Sequence, residues 1–230
     1  MAWIASAREV EVEPSIYAAD FSRLRDQAGD LIAGEARVFH FDAGDGHFIP
    51  EITIGPIVLA SISPHIRAWG GAVECHLMVA EPERHFEAFA EAGAAGVTFH
   101  VEASSDPAAA IVRARSHGLD VGVAFNPGTE VEAAVRAAEG ADFVLCMSIE
   151  PGYSGQKFMP EALPRIERLR ELLPDEVRIQ VDGGVNEETI ASVREAGADL
   201  LVVGSAIFWR DDPVEAYRRL AETVMERARG

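Results

Sequence analysis

Glu195-Ala196-Gly197-Ala198-Asp199-Leu200-Leu201-Val202-Val203-Gly204-Ser205 is the stretch that decides the fold. A small-residue joint with one glycine runs straight into four apolar β-formers that show no polar alternation. Glycine just past a helix end supplies the left-handed residue that terminates it, and an unalternated apolar strand suits a parallel sheet covered on both faces. The same joint stands at Glu91-Ala92-Gly93-Ala94 and at Glu139-Gly140-Ala141-Asp142, each ahead of another apolar run such as Phe143-Val144-Leu145-Cys146. The chain therefore repeats a βα unit.

Outward from these joints, apolar runs predict strands near Glu11 to Ile16, Val38 to Asp42, Val73 to Met78, Gly96 to His100, Asp120 to Phe125, Phe143 to Met147, Arg178 to Asp182 and Leu200 to Gly204. Helices are expected near Phe21 to Ala33, Pro56 to Ile66, Pro82 to Ala92, Pro107 to His117, Glu130 to Ala138, Pro160 to Leu172, Glu187 to Ala196 and Pro213 to Arg227. Several open on proline, where its missing N–H costs nothing, and Asp106-Pro107 and Asp212-Pro213 add an acidic N-cap. Eight such units in 230 residues close most naturally into a single α/β domain, a (β/α)8 TIM barrel over residues 1–230 with its core at about 10–228.

Composition sets limits on the function. With 48% hydrophobic residues there is ample core, while a mean hydropathy of +0.05 and no apolar run near membrane length argue against a membrane span. A formal charge of −18 repels nucleic acid and anionic membranes. A small phosphate would have to be held locally, by backbone amides, helix starts or a metal ion. Cys75 and Cys146 lie in apolar runs without CxxC spacing and read as reduced core residues. Together with a start, Met1 to Glu13, that carries no basic leader, they imply a cytoplasmic protein.

In a TIM barrel the C-terminal strand ends converge on one mouth, and here those ends carry polar residues. They are Ser15, His40 and Asp42, His76, His100 and Glu102, Asn126, Ser148, Asp182, and Gly204-Ser205. His40 and Asp42 are two apart on one strand, so they share a face about 7 Å apart. His40, Asp42, His76 and Asp182, turned to one centre, suit one divalent ion of the zinc, iron, manganese or cobalt kind. His65, His85 and His117 fall on helices as surface residues, His47 lies in a loop, and His100 lines the mouth without ligating. Three glycine turns, Pro151-Gly152-Tyr153-Ser154-Gly155-Gln156, Asp182-Gly183-Gly184 and Gly204-Ser205, follow strands six to eight. Glycine turns and a helix start at the last strands form the usual phosphate position of such barrels.

Pro14-Ser15-Ile16, Ala19-Asp20-Phe21, His40-Phe41-Asp42, Asp45-Gly46-His47-Phe48-Ile49-Pro50, His76-Leu77-Met78-Val79, Gly155-Gln156-Lys157-Phe158-Met159-Pro160, Val181-Asp182-Gly183-Gly184-Val185 and Gly204-Ser205-Ala206-Ile207-Phe208 run in order along the chain. In combination they resemble the ribulose-phosphate 3-epimerases, from about Val12 to Phe208. The resemblance implies a metal-dependent isomerase of the pentose phosphate pathway that inverts C3 of a phosphorylated ketose, D-ribulose 5-phosphate to D-xylulose 5-phosphate, and works as a homo-oligomer, dimeric or hexameric. It assigns the metal to His40, Asp42, His76 and Asp182 and the acid/base pair to Asp42 and Asp182. Ser15 and His76 would contact substrate, and Gly152, Tyr153, Ser154, Gly155, Gly183, Gly184, Gly204 and Ser205 would hold its phosphate.

The chemistry suits those residues. Inversion next to a ketone removes a proton from one face and returns one to the other through a planar enediolate, which two carboxylates can do while a metal offsets the developing charge. Met78 and Met147 would line the pocket with polarisable apolar surface.

The chain departs from the family pattern at Gly44, where a pocket methionine is usual; the missing side chain is expected to enlarge the pocket or shift the sugar preference. Glu150 stands where Asn is common, Tyr153-Ser154 replace Phe-Gly, and Tyr17-Ala18 replace Leu-Ser. The same chemistry on allulose 6-phosphate or a tetrulose 4-phosphate, and a non-catalytic phosphate-binding barrel, are the alternatives. A Schiff-base aldolase is disfavoured, since Lys157, in a loop, is the single lysine.

Overall fold

Strand and helix alternate throughout the computed structural model, which describes residues 3–227. Eight strands, β1 (Glu11–Pro14), β2 (Val38–Gly44), β3 (Ala72–Met78), β4 (Gly96–His100), β5 (Asp120–Phe125), β6 (Phe143–Met147), β7 (Arg178–Asp182) and β8 (Leu200–Val203), form one parallel sheet in the order β1-β8-β7-β6-β5-β4-β3-β2. A parallel bridge between Ser15 and His40 brings its two ends together as a nearly closed barrel. Around it lie α1 (Leu24–Ala33), α2 (Pro56–Ala68), α3 (Phe86–Glu91), α4 (Pro107–Ser116), α5 (Val131–Ala137), α6 (Ala162–Leu172), α7 (Ile190–Glu195), a short α8 (Ser205–Phe208) and α9 (Pro213–Arg227).

The local chemistry explains the boundaries. Gly93, Gly140 and Gly197 take φ of +97°, +87° and +113°, the left-handed backbone that ends each preceding helix. Asp106 accepts from the Ala109 amide at 3.1 Å and Asp212 from the Glu215 amide at 3.0 Å, capping α4 and α9. β1 stops at Pro14 rather than Ile16 because residues Ile16–Ala18 wind into a 3-10 turn. α7 starts three residues later than expected, since Asn186 folds its own segment into a turn, its side chain accepting from the Glu188 amide at 2.8 Å. The four-residue α8 is too short to leave a periodic trace in the sequence. The expected core end at residue 228 lies outside the described residues.

Alternation along each strand sorts side chains into two sets. On β2, Phe39 and Phe41 are buried toward the helices, Phe41 edge-on to Phe89 of α3 with ring centroids 6.4 Å apart, while His40 and Asp42 enter the lumen. The lumen is layered. At the bottom Trp3, Val38, Phe143 and Leu200 pack together. Above them lies a polar belt of Glu13, Glu74, Thr98 and Gln180, all fully buried. Gln180 donates to Glu13, and the Thr98 hydroxyl donates to Glu74 at 2.6 Å. The mouth layer holds Asp42, His76 and Asp182, with an apolar cluster of Ala124, Leu145, Met147 and Ile149 beside it.

The belt is absent from the sequence reading, which expects apolar residues inside these strands. Its signal is there in retrospect: Glu13, Glu74 and Gln180 each stand two residues before Ser15, His76 and Asp182, on the same face one layer down. Cys75 and Cys146 are free and buried, as expected. Among the described residues no helix is long and apolar enough to cross a membrane.

Burial, and then the charge of Glu74, push the Glu13 carboxyl up to about 8. A raised acid keeps its proton in the folded chain after the unfolded chain has lost it, so the contribution of Glu13 to stability falls as pH rises from about 4.5 to about 8 and is level outside that window. Glu13→Gln should remove this slope, gaining on the order of 4 kcal/mol over wild type between pH 4.5 and pH 8. Urea unfolding of metal-free protein at the two pH values would check it, equal slopes contradicting it.

Candidate active site

Two features of the sheet build the centre. In the β2–β3 register Asp42 stands beside His76 and His40 beside Glu74, and the β6–β7 register sets Asp182 beside Met147. Ring curvature then carries Asp182, three strands round from β2, toward the other pair. His40 Nε2 lies 3.1 Å and His76 Nδ1 3.2 Å from Asp42 Oδ1; Asp182 Oδ2 lies 4.0 Å from His40 Nε2 and 3.8 Å from His76 Nδ1. All four expected ligands thus converge, with one donor atom from each within 4.8 Å of the others. Four donors about 2 Å from one ion stand roughly 3.3 Å apart in a tetrahedron, and the measured separations bracket that value. The donor set fits a divalent cation in both chemistry and spacing.

Burial opposes charge on Asp42, but the charge of His40 and hydrogen bonds from His40 and His76 override it and hold the carboxyl well below the usual range. Burial, and then the Asp42 charge, push Asp182 up to about 6. Burial likewise opposes a charged His40, and the carboxylates of Asp42 and Glu74 overcome it, raising that imidazole well above its ordinary value. The two carboxyls are thereby unequal, Asp42 shifted down and Asp182 shifted up.

The far side of each imidazole is also held. His40 Nδ1 makes a close, off-axis contact of 2.7 Å with Glu74. His76 Nε2 lies 2.8 Å from His100 Nε2. Burial above all pushes His100 down to about 4, so it is neutral and accepts from His76 through Nε2, leaving Nδ1–H toward Glu102 at 3.4 Å. Glu102 in turn accepts from Thr129 and from the Asn126 amide. These contacts assign Nε2 of His40 and Nδ1 of His76 to the centre. His100, expected to line the mouth, is fully buried and does not border the cavity; its ring lies against Phe48 at 4.7 Å between centroids. His47 is exposed in its loop, and His65, His85 and His117 are half-buried and join no cluster.

Above the centre opens a cavity of about 500 Å³. Its wall includes Ser15, Asp42, Asp182, Met78 and Met147, and all the expected phosphate residues, Gly152, Tyr153, Ser154, Gly155, Gly183, Gly184, Gly204 and Ser205. Ser15 donates to Asp42 Oδ2 at 2.6 Å. His76, expected to touch substrate, does not border the cavity; it is fully buried beneath the two aspartates. Gly183 and Gly184 are steric requirements: at Gly184, φ +66°, a Cβ would lie 2.3 Å from the Phe158 amide nitrogen, and at Gly183, φ +121°, 2.4 Å from Ile149 Cγ1. Ser148, one of the polar strand ends, serves structure by donating to the carbonyls of Asp182 and Gly183 at 2.9 and 2.6 Å.

Gly44 departs from expectation. It does not border the cavity, and the room left by its missing side chain is filled, since a Cβ there would meet Ile49 Cδ1 at 2.6 Å and the Glu51 carbonyl at 3.1 Å. The loop after β2 folds back to do this. Thr53 Oγ1 donates to the Asp42 carbonyl at 2.8 Å and accepts from the Gly44 amide at 2.6 Å, and the Thr53 amide donates to the Gly44 carbonyl.

A (β/α)8 barrel with a donor set suited to a metal ion under a glycine-lined cavity large enough for a small metabolite defines an enzyme of small-molecule metabolism. The chain belongs to the ribulose-phosphate 3 epimerase family, whose pattern matches residues 11–208, and this makes it an isomerase. It is 38% identical to the ribulose-phosphate 3-epimerase of Schizosaccharomyces pombe over 218 residues, 95% of each chain. It is 39% identical to the ribulose-phosphate 3-epimerase of Bacillus subtilis over 211 residues, 90% of this chain and 96% of the relative. Among solved structures, 3-hexulose-6-phosphate synthase from Salmonella typhimurium superposes with a TM-score of 0.73 at 19% identity, over 94% of this chain and 99% of that one, and shares the fold.

Replacing Gly44 by alanine should force Ile49 aside and cost about 1–3 kcal/mol. Urea denaturation checks this, an unchanged midpoint showing that the loop gives way freely.

Proposed function

We propose that the chain interconverts D-ribulose 5-phosphate and D-xylulose 5-phosphate by moving protons at C3 with Asp42 and Asp182. The observation that carries this reading is the pair of aspartates, from strands three positions apart, at the floor of one cavity beneath a glycine cradle. The substrate class follows from the names of the full-length relatives.

His40, Asp42, His76 and Asp182 would hold one divalent ion of the zinc, iron, manganese or cobalt kind. Such an ion, when bound, supplies positive charge beside the ketone and its neighbouring hydroxyl and so eases loss of the intervening proton. The rest falls to the side chains. Asp42 turns Oδ1 to the imidazoles and keeps Oδ2, supported by the Ser15 hydroxyl, toward the cavity. Asp182 turns Oδ2 to the imidazoles, which leaves Oδ1 for the substrate. One of these free oxygens takes the C3 proton from one face and the other returns a proton to the opposite face, through a planar enediolate. In the reverse direction the roles exchange. Met78 and Met147 exclude water from the reacting carbons.

With a net charge of −18, phosphate binding depends on local donors, the turns at Ser154-Gly155, Gly183-Gly184 and Gly204-Ser205. Because Ile49 fills the space behind Gly44, there is no added room there for a longer sugar.

A panel of four-, five- and six-carbon ketose phosphates, with C3 proton exchange followed in heavy water, should show a five-carbon preference; absence of exchange with every sugar would reject the reading. Asp42→Asn and Asp182→Asn should each lower kcat by about 10²–10⁴-fold, and a variant that keeps wild-type turnover removes that aspartate from the pair. Chelation should abolish turnover, with recovery on adding a divalent metal. Glu74→Gln, by loosening His40, should weaken metal affinity about 10–100-fold in chelator competition, whereas unchanged affinity would limit Glu74 to structure.

A further inference from the structure

The three glycine turns around the phosphate end of the cavity leave different strands, and the outer part of the longest, residues 151–155, lies beyond any strand ladder. Its own hydrogen bonds are internal: Gln156 donates to the carbonyls of Glu150 and Tyr153. An outside brace comes from Trp209, just past α8. Its ring lies so close over Gly155 that a Cβ there would meet Cη2 at 3.0 Å and Cζ3 at 3.1 Å. The indole Nε1 donates to the Ala18 carbonyl at 3.1 Å, and the Trp209 amide donates to the Ser205 carbonyl at 3.1 Å. One residue therefore touches the exits of β1, β6 and β8. Arg210, next in sequence, reaches the exit of β7 by donating to both carboxylate oxygens of Glu187 at 3.1 Å.

Trp209 is 64% exposed, so it adds little to the core. Gly155 has φ +89° and no side chain of its own to anchor it. Beside it the Ser154 hydroxyl stands 3.6 Å from where a Cβ on Gly204 would be, and Gly155, Ser154, Gly204 and Trp209 share the cavity wall.

We propose that Trp209 is a positioning residue for phosphate capture, clamping Gly155 so that the Ser154 hydroxyl and the loop amides already face the Gly204-Ser205 turn when the anion arrives. This deepens the epimerase reading and rests on it for the phosphate-bearing substrate. Without the clamp the loop samples other positions, and affinity falls by the fraction of molecules with the loop in place. The chemistry at Asp42 and Asp182 is untouched once the substrate is seated.

The test is Trp209→Ala and Trp209→Phe in the full, metal-loaded protein, measuring kcat and KM for D-ribulose 5-phosphate and, by calorimetry, the Kd of inorganic phosphate. Trp209→Ala should raise KM and the phosphate Kd together, roughly tenfold, with kcat within about twofold and an unchanged melting temperature. Trp209→Phe keeps a ring on Gly155 but loses the bond to Ala18, and should fall between alanine and wild type. An unchanged phosphate Kd in Trp209→Ala overturns the proposal, as does a fall in kcat at constant KM or a loss confined to thermal stability. Weaker phosphate binding in a protein that epimerises no ketose would keep the clamp and reject the proposed reaction.

Discussion

Closure of the parallel ring is the constraint on which the rest depends. A strand alternates its side chains, and a ring of eight strands aims one half of each alternation at a common axis. His40 and Asp42 are neighbours by covalent spacing, but they meet His76 and Asp182 because β2, β3 and β7 curve round the same lumen. The bridge between Ser15 and His40 that draws the sheet ends together sits at this centre, and it also brings the Ser15 hydroxyl to Asp42. The element that closes the fold and the element that orients the candidate base are the same few residues.

Placing ionisable groups on that axis creates an electrostatic problem that the layers solve differently. In the mouth layer, carboxylates face imidazoles and the spacing suits a cation. In the belt below, with no exposure at all, Glu13 retains a proton and Glu74 is paired with Thr98 and His40. Unpaired charge in such surroundings would be costly, so the belt combines one protonated carboxyl with one that is fully partnered. The fixed orientation of His40 is the useful result, since a ring held at one nitrogen presents the other in a defined direction.

The fold was legible because its signals are local. Gly93, Gly140 and Gly197 mark helix ends by backbone geometry alone, and apolar runs mark covered strands, so strand positions fell within a residue or two of those observed. The centre was legible because its residues occupy strand ends, where a barrel gathers function. What stayed hidden depends on distant partners. Glu13, Glu74 and Gln180 look like ordinary polar strand residues until closure sets them against one another. Trp209 reads as a surface aromatic, and its link to Ala18, 191 positions away, leaves no trace in spacing. Gly44 misled in the opposite sense: a missing side chain suggests a void, yet the space was taken by Ile49, five residues on, and periodicity contains no information about where a loop will fold back.

That fold-back separates two jobs that a single strand would otherwise perform. β2 carries two of the candidate ligands, while the packing behind it is delegated to residues 45–53, fastened to the strand through Thr53. None of residues 45–53 borders the cavity, so exchanges in this segment bear on how firmly His40 and Asp42 are held in register. The strand that presents His40 and Asp42 is thus buttressed by a strap that never meets the cavity, so the sequence of that strap answers to packing and not to a ligand.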